Sequence, residues 1–477
     1  MTAKPSQRPN SPSPRLRESR LSTLHLAPES LGFALDCAAQ AIGAVRLGSA
    51  LPAALQSVFV SAPEGAAAAS RGATQDIAYR TMRRLGTADW LIARQVRKAP
   101  PPHVANVLAC ALALLLDEAQ NAAYAPFTVV DQAVNAISAR REFAFAKGLV
   151  NAVLRHFLRE RTTLTEAAQA DLVACWNYPV WWIKALQQAW PANWQNLLTA
   201  GNQQGPLTLR VNPRHATVEA YLLRLQETQI GATRAGEYAV RLDTPMPVER
   251  IPGFNQGVVS VQDAGAQLAA QWLKVQDGMR VLDACAAPGG KTGHLLELAD
   301  INLIALESDA SRARRINENL QRLGLSAEIR IGDAGAPSQW RNADEPLFDR
   351  ILADVPCSAS GIVRRHPDIR WLRRMSDIPA LVAEQRRILG ALWPLVKPGG
   401  ELLYVTCSVF PEEGEQQAQW FEGTWKDAVR LDAPGQLLPA TAGTPGTLAQ
   451  AAAFDTRQGS SPLPDHDGFF YARFQKR

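Results

Sequence analysis

Two cysteines stand where a thiol can do chemistry. Cys357 ends the run Asp354-Val355-Pro356-Cys357, and Cys407 lies in Thr406-Cys407-Ser408, each at the close of a short apolar stretch that reads as a strand. A single cysteine at such a place is ordinarily a small buried hydrophobe. Two at strand ends, near a loop of small residues, favour a nucleophile and a helper. One reaction needs both. C5 of cytosine is too poor a nucleophile to take a methyl group from a sulfonium unaided. A thiolate added at C6 makes an enamine whose C5 is electron-rich. That route requires the thiolate, a group to protonate N3, for which Asp354 is suitably placed, and a base to remove the C5 proton. A free thiol with a pKa near 8.5 is only about 3% thiolate at neutral pH, so lowering that value speeds the attack.

A methyl donor would sit in the loop Asp283-Ala284-Cys285-Ala286-Ala287-Pro288-Gly289-Gly290-Lys291-Thr292. Small residues and two glycines let the backbone approach a ligand closely at a helix N-terminus. Gly290-Lys291-Thr292 looks like the end of a phosphate-binding P-loop, but that motif needs a glycine where this chain has Cys285. The dinucleotide fingerprint is incomplete as well. A nucleoside without pyrophosphate remains, and S-adenosyl-L-methionine fits. Its expected contacts are Cys285, Ala286, Ala287, Pro288, Gly289, Gly290 and Lys291, with Asp354 nearby. Glu307, 24 residues past Asp283, is placed for the ribose hydroxyls, and Asp333 for the adenine amine. No cluster of His, Cys and carboxylate has metal-ligand spacing, so no metal is expected.

These residues need a frame to position them. From Gly257 onward short apolar runs alternate with helical ones, which predicts strands at 280–283, 303–307, 329–333, 350–354 and 402–407. Helices are expected from Thr292, over 311–323 and over 379–396. The fold class is therefore α/β, with a Rossmann-like, parallel, doubly wound sheet. Four of its strands end in an acid, Asp283, Glu307, Asp333 and Asp354, and ligands bind beyond the carboxyl ends of such strands. Residues 433–464, rich in Ala, Gly, Pro and Thr, read as a loop, and 469–474 as a closing antiparallel edge strand.

Upstream, residues 1–22 hold Pro, Ser and Arg with almost nothing to bury, which describes a disordered tail. Residues 23–163 carry apolar residues at three-to-four spacing over 34–59, 77–96, 104–118, 129–138 and 143–158, the pattern of an all-α domain. Residues 164–256 open helical, with Trp181, Trp182 and Trp190, then turn to β-like runs at 207–211 and 239–242. They predict a small α+β connecting module ahead of the 257–477 sheet domain.

Bulk properties narrow the class. At 477 residues the chain exceeds one ordinary core. Hydrophobic content of 47% with 20% charged residues describes a soluble globular protein. The longest apolar run, 104–116, is too short to cross a bilayer. No apolar secretion signal opens the chain, and Pro5, Pro9, Pro12 and Pro14 would break the helix of a transit peptide. Six cysteines without a CxxC pair suit free thiols in the cytoplasm. Residues 1–165 hold 19 Lys/Arg against 11 Asp/Glu, a net +8, and the remainder 31 against 34, a net −3. Positive charge on one segment suits a phosphate backbone or a solubilising surface; charge alone does not separate the two.

The run Asp283–Lys291, the block Asp354–Gly361 with Arg364-Arg365-His366-Pro367-Asp368, and Thr406-Cys407-Ser408-Val409 with Glu412-Glu413 resemble the RsmB/Sun family of RNA 5-methylcytosine methyltransferases. The resemblance covers about residues 260–477. It implies that Cys407 is the nucleophile, that Cys357 assists product release, and that Lys291 lies at the acceptor base. Val129–Val134 and Gly148–Arg155 resemble the NusB-type RNA-binding domain that precedes the catalytic domain in that family, so residues 23–163 are expected to be NusB-like. Small-subunit (16S) ribosomal RNA is then the expected partner, and a monomer the expected form. Arg364, Arg365 and His366, with Arg370, Trp371, Arg373 and Arg374, combine phosphate-binding charge with a stacking ring and are the expected RNA contacts. Two other readings stand beside this one: a DNA cytosine-5 methyltransferase with Cys357 as nucleophile, and a non-catalytic RNA-binding assembly factor.

Overall fold

The computed structural model describes residues 26–62, 65–118, 122–439 and 465–477. The expected tail and most of the expected 433–464 loop lie outside the described residues. Two compact units are present, a helical one ending at Thr165 and a larger one running from Glu166 to Arg477, to which Gly48–Ala50 and Met82–Thr87 also belong.

In the helical unit, Pro102–Leu115 is the central helix, buried along its whole length from Val107 to Leu115. Leu31–Arg46, Pro126–Ala139 and Lys147–Arg159 pack around it. The 34–59 run, expected as one helix, is two, Leu31–Arg46 and Leu51–Ser61. Gly48 at φ +105° makes the break, a backbone conformation that suits glycine.

The larger unit holds two sheets. β1 (Leu207–Val211), β2 (Ala232–Arg234), β3 (Ala239–Leu242) and β4 (Val259–Val261) form an antiparallel sheet in the order β2-β3-β1-β4. Helix Val218–Glu227 covers it through Tyr221 and Leu225. β4 lies past residue 256, so this small sheet extends beyond the expected end of the connecting module. A three-residue strand is too short to show alternation in sequence.

The main sheet contains β5 (Arg280–Asp283), β6 (Asn302–Glu307), β7 (Glu328–Ile331), β8 (Phe348–Asp354), β9 (Val396–Thr406), β10 (Ala428–Leu437) and β11 (Phe469–Lys476), in the order β10-β11-β9-β8-β5-β6-β7. β5 to β9 are parallel. The chain leaves β5 towards β6 and β7 on one side and returns to β8 and β9 on the other. That reversal opens a crevice at the carboxyl end of β5, where doubly wound sheets bind ligands. Asp283 is in register with Ala305 on β6 and Leu352 on β8, so the strand-end acids share one edge.

β11 is not the edge strand expected. It runs antiparallel between β9 and β10, and β10 forms the edge. Pro434 and Gly435 masked β10 in the sequence, yet proline is tolerated on an edge strand, and the pairing shifts register there between Leu431 and Gly435. β7 is shorter than expected, which leaves Asp333 two residues past its end.

Candidate active site

The loop after β5 enters helix Gly290–Leu298 through Gly289, at φ +93°. A Cβ there would stand 3.1 Å from Ile316 Cα, so both backbone angle and space require glycine. Asp283 is 1% exposed. Thr292 Oγ1 donates to its Oδ2 at 2.7 Å, while Oδ1 is buried without a hydrogen-bond partner among the described residues. Burial pushes the Asp283 carboxyl up to about 7, against the Thr292 hydrogen bond and with help from the Asp354 charge.

Glu307, buried at the end of β6, accepts from the backbone N–H groups of Ala287 (3.3 Å) and Asp309 (3.1 Å), which ties the β6 tip to the β5 loop. Asp333 is half-exposed and paired with both terminal nitrogens of Arg387 at 2.9 Å. It also accepts from Gly335 N–H at 2.8 Å. The Arg387 hydrogen bond holds its carboxyl below the usual range. Arg387 had no motif to mark it. Cys285 is a partly buried thiol whose pKa is pushed well up by desolvation and then by the Asp354, Asp283 and Glu307 charges.

At the other end of the crevice, Lys291 Nζ donates to Asp354 Oδ2 at 2.7 Å. Burial works against the ammonium, but the Asp354 charge and hydrogen bond, with Cys407 and Asp283 behind them, raise its pKa above the ordinary value. Cys357 and Cys407 come together here, Sγ to Sγ 3.4 Å, both as free thiols. Cys357 is the more buried. Its pKa is raised well above the usual value by the hydrogen bond to Cys407, then by burial, the Cys407 charge and Glu413.

The expected RNA-contact group needs correction. Arg364 is 1% exposed and bound to Asp465 and Asp467, with Asp263 near. Arg365 pairs with Asp467 and Asp263. Arg370 is fully buried, on the Gly201 carbonyl and Asn202 and over the Tyr178 ring. Arg373 donates to the carbonyls of Cys357 and Ser358. Arg364 and Arg365 are ion-paired within the chain, and Arg370 and Arg373 are held by neutral oxygens, so these four guanidinium groups hold loops in this structure. His366 is partly buried, and burial lowers its pKa. Arg374 stays exposed. Among the described residues no three His, Cys, Asp or Glu side chains gather as metal ligands, and no helix is long and apolar enough to cross a membrane.

Known proteins match this chain in three blocks. Residues 270–475 match the family described as 16S rRNA methyltransferase RsmB/F, residues 178–249 a ferredoxin-like domain of RsmF/B-like methyltransferases, and residues 34–159 the NusB family. The ribosomal RNA small subunit methyltransferase B of Cronobacter sakazakii is 40% identical over 407 residues, covering 84% of this chain and 90% of that protein. Among solved structures, the crystal structure of PH0851 aligns with a TM-score of 0.70 at 24% identity, covering 95% of this chain and all of that one, a likeness of fold. A methyltransferase homolog from Pyrococcus horikoshii aligns at 0.52 with 27% identity, over 64% of this chain and 97% of its own. With the thiol pair, the strand-end acids and the NusB-like helices already in view, these matches make the chain a member of the ribosomal RNA small subunit methyltransferase B family.

Proposed function

We propose that the chain methylates C5 of a cytosine in small-subunit (16S) ribosomal RNA, with Cys407 bonding to C6 of the ring. The observation that carries this reading is the 3.4 Å thiol pair beside the Lys291–Asp354 ion pair. S-adenosyl-L-methionine is the cofactor, and the crevice suits it. Gly289 makes the positive-φ turn into the helix N-terminus, Glu307 and Asp333 are assigned to the nucleoside end, and the unpartnered Asp283 Oδ1 suits a cationic amino group. When bound, the cofactor supplies an electrophilic methyl group.

The chain's own residues then do the following. Cys407 Sγ attacks C6, and N3 takes a proton at Asp354, whose carboxyl the Lys291 ammonium holds in place at 2.7 Å. The electron-rich C5 accepts the methyl group. Removing the C5 proton, with return of the N3 proton to Asp354, lets the Cys407–C6 bond break and restores the aromatic ring. Cys357 is suited to that last step. Its Sγ lies 3.4 Å from Cys407 Sγ, close to the carbon that bears the proton once Cys407 is bonded to C6. The target base must leave its stack to reach both thiols. Residues 23–163 supply RNA affinity, 164–256 connect, and 257–477 carry the chemistry, in a cytoplasmic monomer.

Substituting the two thiols separately tests the assignment. Cys407→Ala is expected to lose methyl transfer and never to trap RNA covalently. Cys357→Ala is expected to attack and transfer, then stall, leaving a protein–RNA adduct that persists on a denaturing gel. An adduct in Cys407→Ala but not in Cys357→Ala reverses the roles and favours the DNA-type route. Bisulfite mapping of 16S rRNA from cells with and without the protein locates the target.

A further inference from the structure

Ladder pairing between β8 and β9 ends at Asp354–Val405, with one more bond from Val355 N–H to the Val405 carbonyl. Both thiols lie beyond that point, on loops that are joined further along by the Gly361 N–H bond to the Cys407 carbonyl at 2.9 Å and by Val409 N–H to Ser360 Oγ at 2.9 Å. Glu413, from the loop after β9, adds the bridge that carries a charge. It is fully buried, and its carboxylate is held by neutral donors. Oε1 accepts from Ser358 N–H at 2.8 Å and Gln385 Nε2 at 3.1 Å, and Oε2 from Ser408 Oγ at 2.7 Å. Its own carbonyl accepts from Thr406 Oγ1 at 3.1 Å and Tyr404 Oη at 2.7 Å. Glu413 thus binds the residue after Cys357 and the residues on both sides of Cys407. Gln385 extends the clamp to the Pro356 carbonyl at 3.1 Å, and Ser360 Oγ meets Ser408 Oγ at 3.0 Å. Burying a carboxylate without a cation costs several kcal/mol unless its lone pairs are satisfied. A fold that needed only stability is served as well by an apolar residue.

We infer that Glu413 is a positioning residue, whose carboxylate clamps the Cys357 loop to the Cys407 loop and fixes the separation of the two thiols. The inference rests on the thiol roles proposed above. Misplacing reacting groups by about 1 Å costs on the order of 100-fold in rate. The loss should fall on turnover, because Glu413 touches neither RNA nor cofactor in this arrangement.

The test uses the full chain on a 16S rRNA fragment, with Cys407→Ala alongside. Glu413→Ala is expected to lower kcat by about 100-fold while KM for RNA and for cofactor stays level. It should also lose capture by a trivalent arsenical, which needs two adjacent thiols. Glu413→Gln keeps an acceptor for Ser358 N–H but gives up the charge, and should lift kcat only to about a tenth of wild type. If Glu413→Ala fails to fold, the Gln variant decides. An approximately tenfold fall in kcat at constant KM supports the clamp, whereas full activity overturns it. A loss confined to KM, or Glu413→Ala as active as wild type while Cys407→Ala is dead, overturns the positioning role and leaves the thiol mechanism intact. Methyl transfer by Cys407→Ala overturns the thiol mechanism itself.

Discussion

Asp283 is a buried acid with one oxygen that has no hydrogen-bond partner among the described residues. In the unfolded chain its carboxyl ionises near the ordinary 3.8, and in the folded protein burial delays this to about 7. Between those values the folded state holds a proton that the unfolded state has released. Stability from this group is therefore fully present below about pH 4 and is lost as pH rises to about 7, by up to about 4 kcal/mol. Asp283→Asn should abolish that part of the slope. Urea unfolding of the cofactor-free protein from pH 4 to 8 checks it, and identical slopes in both proteins would refute the account. At this scale the motifs marked Asp283, Lys291, Asp354, Cys357 and Cys407, and the structure pairs Lys291 with Asp354 and Cys357 with Cys407. The clamping role of Glu413 could not be read there, although Glu412-Glu413 lies in a recognised motif, because its partners come from residues 358, 385 and 408. Arg364 and Arg365 misled for the opposite reason. A basic run looks solvated until the carboxylates of Asp263, Asp465 and Asp467, distant in sequence, are folded against it.

Elements that repeat a period were legible, and elements that break one were not. β5 matches its expected bounds because Val281 and Leu282 form a buried run between polar ends. β10 was taken partly for loop because Pro434 and Gly435 interrupt its pattern. The join between the small sheet and the cofactor loop was invisible as well. Arg210 on β1 donates through Nε and Nη2 to both oxygens of Glu297, and through Nη1 to Gln262 Oε1 and the Gly290 carbonyl. Both side chains are fully buried. Removing one partner of such a pair strands a charge, so Arg210→Met should cost about 3–5 kcal/mol. Arg210→Met with Glu297→Leu should recover most of that loss, since a buried pair is often replaceable by apolar groups. Urea midpoints for the three proteins decide. A double variant no more stable than Arg210→Met would mean that the loss comes from packing.

Across the whole molecule, charge is divided between segments, and this division is visible in composition alone: net +8 over residues 1–165 and net −3 beyond. The structure shows how the helical unit displays part of that excess. On helix Lys147–Arg159, Val150, Val153, Leu154 and Phe157 are buried, while Lys147, Arg155 and Arg159 are exposed. Spacings of eight and four residues put these three cations along one face of the helix. A stripe of that kind can track a phosphate backbone, and each phosphate neutralised on single-stranded RNA contributes about 0.7 to the slope of log Kobs against log salt. Replacing Lys147, Arg155 and Arg159 together with Gln should therefore weaken RNA binding at low salt and make the slope shallower by about 2. Cofactor affinity should not change, because the crevice at the carboxyl end of β5 lies in the other unit. Fluorescence anisotropy on a 16S rRNA fragment across a salt series measures the slope, and calorimetry measures the cofactor. An unchanged slope would assign the stripe to solubility and move the RNA contacts elsewhere. A shallower slope with weakened cofactor binding would mean that the substitutions disturb more than a surface.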